Sequence, residues 1–133
     1  MIVVDASAFL EMLLRTPMGL GVEELLATET AAAPHLFDAE VFHRLVTFGK
    51  RGVLAAHEVA GAIADTADAP IHRIDHRRLF PRAQTFAAAL SGYDALYAAL
   101  AAELDATLVT GDLALAKTAR IQLNLTIADL PSQ

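Results

Sequence analysis

The chain predicts an α/β fold, a three-layer α/β/α sandwich with a central, mostly parallel twisted sheet. Short runs rich in β-branched residues, Ile2-Val3-Val4, Ile71–Ile74 and Thr107–Val109, recur along its length. Between them lie longer stretches whose apolar residues return every three or four positions. That alternation is the pattern of βαβ units, in which a crossover helix carries the chain back to begin the next parallel strand. Hydrophobic residues make up 55% of the 133 residues and charged residues 20%, enough apolar area for a core and too much for a disordered chain.

Ile2-Val3-Val4 reads as a buried strand stopped by Asp5. Ser7 is placed to cap a helix with Phe9, Leu10, Leu13 and Leu14 on one face. Pro17, Gly19 and Gly21 punctuate the chain ahead of a second helix near 22–28. Ala31–Pro34 is a weak strand leading into a helix over 37–51, where Phe37, Val41, Leu45 and Phe48 keep a helical rhythm and Gly52 ends it. A helix is expected over 57–67, a short strand at Ile71–Ile74, and a helix over 76–90 with Pro81 near its first turns. The last third carries a helix over 93–104, the strand Thr107–Val109, a helix over 113–120 and an edge strand at 125–127. No repeat, linker or break in composition divides the chain, so one domain is expected over 1–133. A domain of that length buries about 65–70% of the surface of its unfolded chain.

Ten Lys and Arg against sixteen Asp and Glu leave a net charge of −6, which argues against nucleic-acid binding by bulk positive charge. A chain of this sign that handles a polyanion needs a local basic patch, a divalent cation or a basic partner. The absence of cysteine removes disulfides, thiolate zinc sites and thiol nucleophiles together, and fits a reducing cytoplasm. No membrane association is expected: Asp5 and Glu11 interrupt the first apolar stretch, which no basic leader precedes, and Glu103 and Asp105 stand in the short Ala-rich one. Neither familiar glycine-rich phosphate loop occurs, which disfavours a nucleotide cofactor.

In an open parallel sheet the functional crevice lies beyond the carboxyl ends of the strands. Asp5 follows the first strand and Asp112 the Thr107–Val109 strand at that end, and Asp94 opens the helix that feeds the latter. Each also has an ordinary reading: Asp5 ends a strand, Asp94 completes a capping box with Ser91, and Asp112 caps the next helix. Glu40 sits within a helix, where a solvated i,i+4 pair with Arg44 is worth only about 0.2–0.5 kcal/mol.

The four acids fall in four motifs. Ile2-Val3-Val4-Asp5-Ala6-Ser7-Ala8 is a hydrophobic strand followed by Asp-x-Ser, and Pro34-His35-Leu36-Phe37-Asp38-Ala39-Glu40-Val41 sets a Glu after a Pro-led helix start. Tyr93-Asp94-Ala95-Leu96-Tyr97 is a Tyr-Asp-Ala-x-Tyr helix, and Leu108-Val109-Thr110-Gly111-Asp112-Leu113-Ala114-Leu115 runs from a strand into Thr-x-Asp-x-x-Leu. In this order and spacing, across nearly the whole chain, they resemble the PIN-domain family, most closely its VapC-type toxins of bacterial toxin–antitoxin pairs.

The resemblance implies a PIN-like fold and a Mg²⁺-dependent endoribonuclease, with Mn²⁺ as the alternative ion. By the same resemblance Asp5 and Asp94 are direct metal ligands, Asp112 completes the site directly or through water, and Glu40 orients water or helps hold a second metal. Ser7 and Thr110 stand behind them, steering Asp5 and Asp112 through their hydroxyls or else capping helices. Elementary electrostatics agrees, since two carboxylates ~4 Å apart repel by about 4 kcal/mol at an effective dielectric of 20. Protonation or a cation relieves that repulsion, and an oxygen-only set suits Mg²⁺ or Mn²⁺ rather than Zn²⁺. The resemblance further implies an RNA substrate, a VapB-like antitoxin partner and a homodimer. Two other readings stay open: a PIN-type RNA-processing nuclease outside a toxin module, and a catalytically silent module that keeps the fold and binds a regulator.

Arg73, Arg77, Arg78 and Arg82 cluster as a candidate RNA phosphate patch, or as a solvated helix start. His72 and His76 stand at i,i+4 across an expected strand–helix junction, so they form no helical metal pair, and His35, His43 and His57 lack partners at ligand spacing. The helices over 10–26 and 36–59, broken by Gly19, Gly21, Gly49 and Gly52, either wall a groove for the antitoxin or belong to the core.

Overall fold

Four short strands, β1 (Ile2–Val4), β2 (Ala31–Pro34), β3 (Ile71–Ile74) and β4 (Thr107–Val109), pair in parallel in the order β3-β2-β1-β4. The structure is a computed structural model and describes residues 1–131; the last two residues of the expected domain lie outside it. Parallel strands need crossover connections, and helices supply them. Helices α1 (Ala6–Leu13) and α2 (Pro17–Thr28) join β1 to β2, and α3 (Leu36–Lys50) and α4 (Ala56–Asp68) join β2 to β3. A 3₁₀ turn (His76–Leu79), α5 (Phe80–Phe86) and α6 (Gly92–Leu104) lead to β4, and α7 (Leu113–Gln122) follows it. The three-layer α/β/α architecture is the one expected.

The central strand β1 has neighbours on both sides, with Val3 opposite Ala32 and Leu108, and its residues are buried throughout. Strand β2 begins Ala31-Ala32-Ala33, poor strand formers taken alone. Its conformation comes from context. Helix α6 packs over β1, β2 and β4 with Ala95, Ala98, Ala99 and Ala101 buried, and small side chains on both surfaces let helix and sheet approach closely. Phe9 of α1 meets Phe37 of α3 edge to face at 5.1 Å, tying the two helices over the core.

Four local expectations change. Asp5, not Ser7, caps α1, accepting the Ala8 N–H. Helix α2 starts at Pro17 rather than near residue 22: Thr16 caps it, Pro17 fits the first turn, and Gly19 and Gly21 lie within it. Gly19 is there for contact, because a Cβ would stand 2.1 Å from the Glu11 carbonyl oxygen of α1. The helix expected over 76–90 divides just ahead of Pro81 into the 3₁₀ turn and α5, which ends at Phe86. The edge strand expected at 125–127 reduces to one bridge between Ile127 and Leu108. Among the described residues no helix is long and apolar enough to cross a membrane.

Candidate functional site

From β1 the chain moves outward to β2 and β3, then returns to lay β4 on the other side of β1. At such a switch point the loops leaving adjacent strands part and open a crevice beyond their carboxyl ends. Asp5 leaves β1 there, and Thr110, Gly111 and Asp112 leave β4. A cavity of about 500 Å³ lies at this position, and Asp5, Glu40, Asp94 and Asp112 all line it. Residues 107 positions apart in the chain are thereby brought to one hollow, Asp5 and Asp112 from strand ends, Glu40 from α3 and Asp94 from α6.

Asp5 is 4% exposed and engaged on both oxygens. Its Oδ1 accepts from Ser7 Oγ at 2.7 Å and from the Ala8 N–H at 2.9 Å, and its Oδ2 accepts from Thr110 Oγ1. Ser7 Oγ also accepts from the Gly111 N–H at 2.9 Å, and Thr110 Oγ1 from the Asp112 N–H at 3.0 Å. The two hydroxyls thus lash the end of β1 to the end of β4. Burial pushes the Asp5 carboxyl up to about 6, the hydrogen bonds from Thr110, Ala8 and Ser7 hold it down in part, and the Asp94 charge adds to the rise.

Asp94 is the third residue of α6, whose cap Ser91 accepts the Asp94 N–H at 3.2 Å. Burial raises its carboxyl first, and the Asp112 charge raises it further. Glu40 is half-buried and accepts a hydrogen bond from the Tyr97 hydroxyl at 2.7 Å. Its carboxyl is also raised, first by burial and then by Asp94, against the lowering pull of Tyr97 and Arg44. Asp112 caps α7 through Oδ1, accepting from Ala114 and Leu115 N–H. For Asp5 and Asp112 a helix cap and a place in the cavity coexist, whereas of the expected Ser91–Asp94 capping box the structure shows the half in which Ser91 accepts the Asp94 N–H. Helices α1, α6 and α7 all start at this hollow, and their positive dipole ends offset part of the repulsion among the acids.

The donor set is oxygen only and crowded with like charge, which suits a hard divalent cation. Among the described residues no three acidic or histidine side chains close around one point as a finished metal cage. Asp5 in particular spends its oxygens on Ser7, Thr110 and Ala8. The chemistry of the donors fits a metal, and the side chains are placed for the fold's own hydrogen bonds.

A PIN domain family model matches residues 2–121. Ribonuclease VapC9 of Mycobacterium tuberculosis is 38% identical over 127 residues, covering 96% of this chain and 98% of that protein. The chain belongs to the PIN-domain family, in its VapC branch. Ribonuclease VapC12 of the same organism is 34% identical over 118 residues, 89% of this chain and 92% of its own length. Among solved structures, Mycobacterium tuberculosis VapC20, described as a Sarcin-Ricin loop cleaving toxin, superposes with a TM-score of 0.69 at 13% identity, over 98% of this chain and all of that one. VapBC2 from Rickettsia felis, solved bound to a DNA fragment from its promoter, gives 0.64 at 19% identity over the same shares. At those identities the two structures speak for the fold.

Other candidates from the sequence fall elsewhere in this PIN fold. The arginine patch does not assemble at the acids. All five N–H groups of the Arg73 guanidinium are engaged, by the Asp38 carboxylate and the carbonyls of Thr66, Ala69 and Ile71, so Arg73 ties β3 to α3 and α4 and has no donor left for a phosphate. Arg77 pairs with Asp75 at 2.6 Å and Arg82 with Glu103 at 3.0 Å, while Arg78 borders a separate small cavity. His76 Nε2 accepts the Leu36 N–H at 2.6 Å, a structural role. Of the expected apolar groove, Leu10 and Val22 are core, and Phe42 and Leu45 of α3 line a cavity of about 430 Å³ with Ile63 and Ala67 of α4.

Sequence reasoning missed Tyr97 as the residue that holds Glu40, although its place three positions after Asp94 put both on one helix face. It also missed Tyr93, His43 and Arg44 as cavity residues. His43 and Arg44 stand three and four residues after Glu40, the spacing that could have found them.

Proposed function

We propose that this VapC-branch PIN protein is the toxin of a VapBC-like pair, a cytoplasmic endoribonuclease that hydrolyses RNA phosphodiesters with Mg²⁺, or Mn²⁺, held by Asp5, Asp94 and Asp112, with Glu40 orienting water or helping to hold a second ion. The observation that carries the reading is the convergence of four acids from four separate elements on one cavity at the switch point of the sheet, where burial and mutual repulsion raise Asp5, Glu40 and Asp94. Such an arrangement costs stability unless a cation or a proton offsets it. The names of the VapC ribonuclease relatives support the same activity.

A bound divalent cation supplies charge to offset the phosphate oxygens and makes water more acidic. The protein's own groups do the rest. Ser7 and Thr110 hold Asp5 rigidly at the mouth of β1. Glu40, with one oxygen pinned by Tyr97, offers the other to a water that attacks phosphorus. The P–O bond to the leaving oxygen breaks and the proton lost by the water ends on that oxygen.

A cognate VapB-like antitoxin is proposed to regulate the enzyme, with the apolar cavity between α3 and α4 as part of its docking surface, on a homodimeric toxin. Co-purification with a small protein encoded in the adjacent reading frame is the expected outcome.

Purified Asp5→Ala and Asp94→Asn variants are expected to lose divalent-dependent RNA cleavage while keeping the wild-type circular dichroism spectrum. Full cleavage by either one, with contaminating nuclease excluded, contradicts the site.

A further inference from the structure

Beside its four acids the cavity is lined by side chains of different chemistry, Tyr93 and Arg44 among them. Tyr93, next to Asp94 in the first turn of α6, is 62% exposed, whereas Tyr97 one turn on is 2% exposed and packed in the core. Helix α3 contributes Arg44 to the same hollow, one turn or about 6 Å along the axis beyond Glu40. The Arg44 guanidinium lies over the Phe48 ring at 5.2 Å, which supports the side chain from below. Of the arginines, Arg44 is the one that lines the acidic cavity, where its charge also acts on Glu40, whereas Arg73, Arg77 and Arg82 are matched to carboxylates elsewhere. A chain of net charge −6 needs such local contacts to hold a polyanion. Sequence-tolerant binding of single strands is built from two parts: a cation on the backbone and an aromatic face under a base.

Resting on the nuclease reading above, we infer that Tyr93 and Arg44 form the nucleotide-holding wall of this site. Tyr93 stacks an unpaired base beside the phosphodiester to be cut, and Arg44 holds a neighbouring phosphate. A base inside a duplex has both faces covered, so this wall selects unpaired segments.

The test uses the full chain and a short single-stranded RNA oligonucleotide. Two tyrosines and no tryptophan are present, and only Tyr93 is exposed, so quenching of tyrosine emission on RNA binding reports that ring. Tyr93→Leu is expected to raise KM about tenfold with kcat within about twofold of wild type, and Tyr93→Phe to keep the wild-type KM because stacking uses the ring and not the hydroxyl. Arg44→Gln is expected to reduce the slope of log affinity against log salt by about 0.7, while Arg15→Gln, beside a different cavity, leaves it unchanged. A wild-type KM in Tyr93→Leu, or equal damage in Tyr93→Phe, overturns the inference while an active wild type leaves the nuclease reading standing. A wild-type chain that neither binds nor cuts RNA overturns both.

Discussion

At Asp5 two demands meet on one side chain. Helix α1 needs an acceptor at its N-cap and the site needs an anion, while burial opposes the charge that serves both. The carboxyl titrates at about 6 in the folded chain against 3.8 unfolded. A folded-state value above the unfolded one means that the native state holds its proton longer. The associated stability is complete below about pH 4 and is lost as pH rises through 6. Two units amount to about 3 kcal/mol, and Glu40 and Asp94 shift in the same direction. Asp75, held well below the usual carboxylate range by Arg77, has the opposite sign and acts only below about pH 4. In EDTA the melting temperature is therefore expected to fall between pH 4 and pH 7. The fall should be shallower in Asp5→Asn, and Mg²⁺ should recover the loss at pH 7. Parallel wild-type and Asp5→Asn profiles would contradict this account of the residue.

Among the elements, α2 shows where local sequence rules yield to packing. Pro17, Gly19 and Gly21 read as breakers, yet all three lie in the helix, because Pro fits its first turn and Gly19 lets α1 and α2 touch backbone to backbone. Gly19→Ala is expected to lower stability by about 1–3 kcal/mol in urea denaturation, since backbone rather than a flexible side chain must move. Gly61 in α4 faces open space, with no atom within 4 Å of where a Cβ would stand, so Gly61→Ala should raise stability by about 0.4–1 kcal/mol. A Gly19→Ala variant as stable as wild type would show that the α1–α2 contact yields. The β-branched strands were legible because burial and propensity agree there. Ala31–Pro34 was faint because alanine has little strand propensity, and what makes it a strand is its place between β1 and β3 beneath α6. The single helix expected over 76–90 failed because a 3₁₀ turn precedes Pro81, whose missing N–H suits only a helix start.

For the whole molecule, one parallel sheet with its switch point between β1 and β4 explains why four distant acids share a hollow. Their motifs were readable because each is local: a strand end followed by an acid, or an acid in a helix's first turns. The side chains that hold them were less so. Tyr97 bonding Glu40, or Arg73 bonding Asp38, depends on pairings 57 and 35 residues apart that no local pattern encodes. Asp94 is the acid whose charge reaches both Asp5 and Glu40 and which itself feels Asp112, so its loss should dismantle the cluster most completely. Calorimetric titration of Mn²⁺ into the wild-type chain and into Asp94→Asn at pH 7 tests the cation site directly. Saturable binding by wild type and at least about tenfold weaker binding by the variant is the expected result; equal binding by both, or none by wild type, would contradict it.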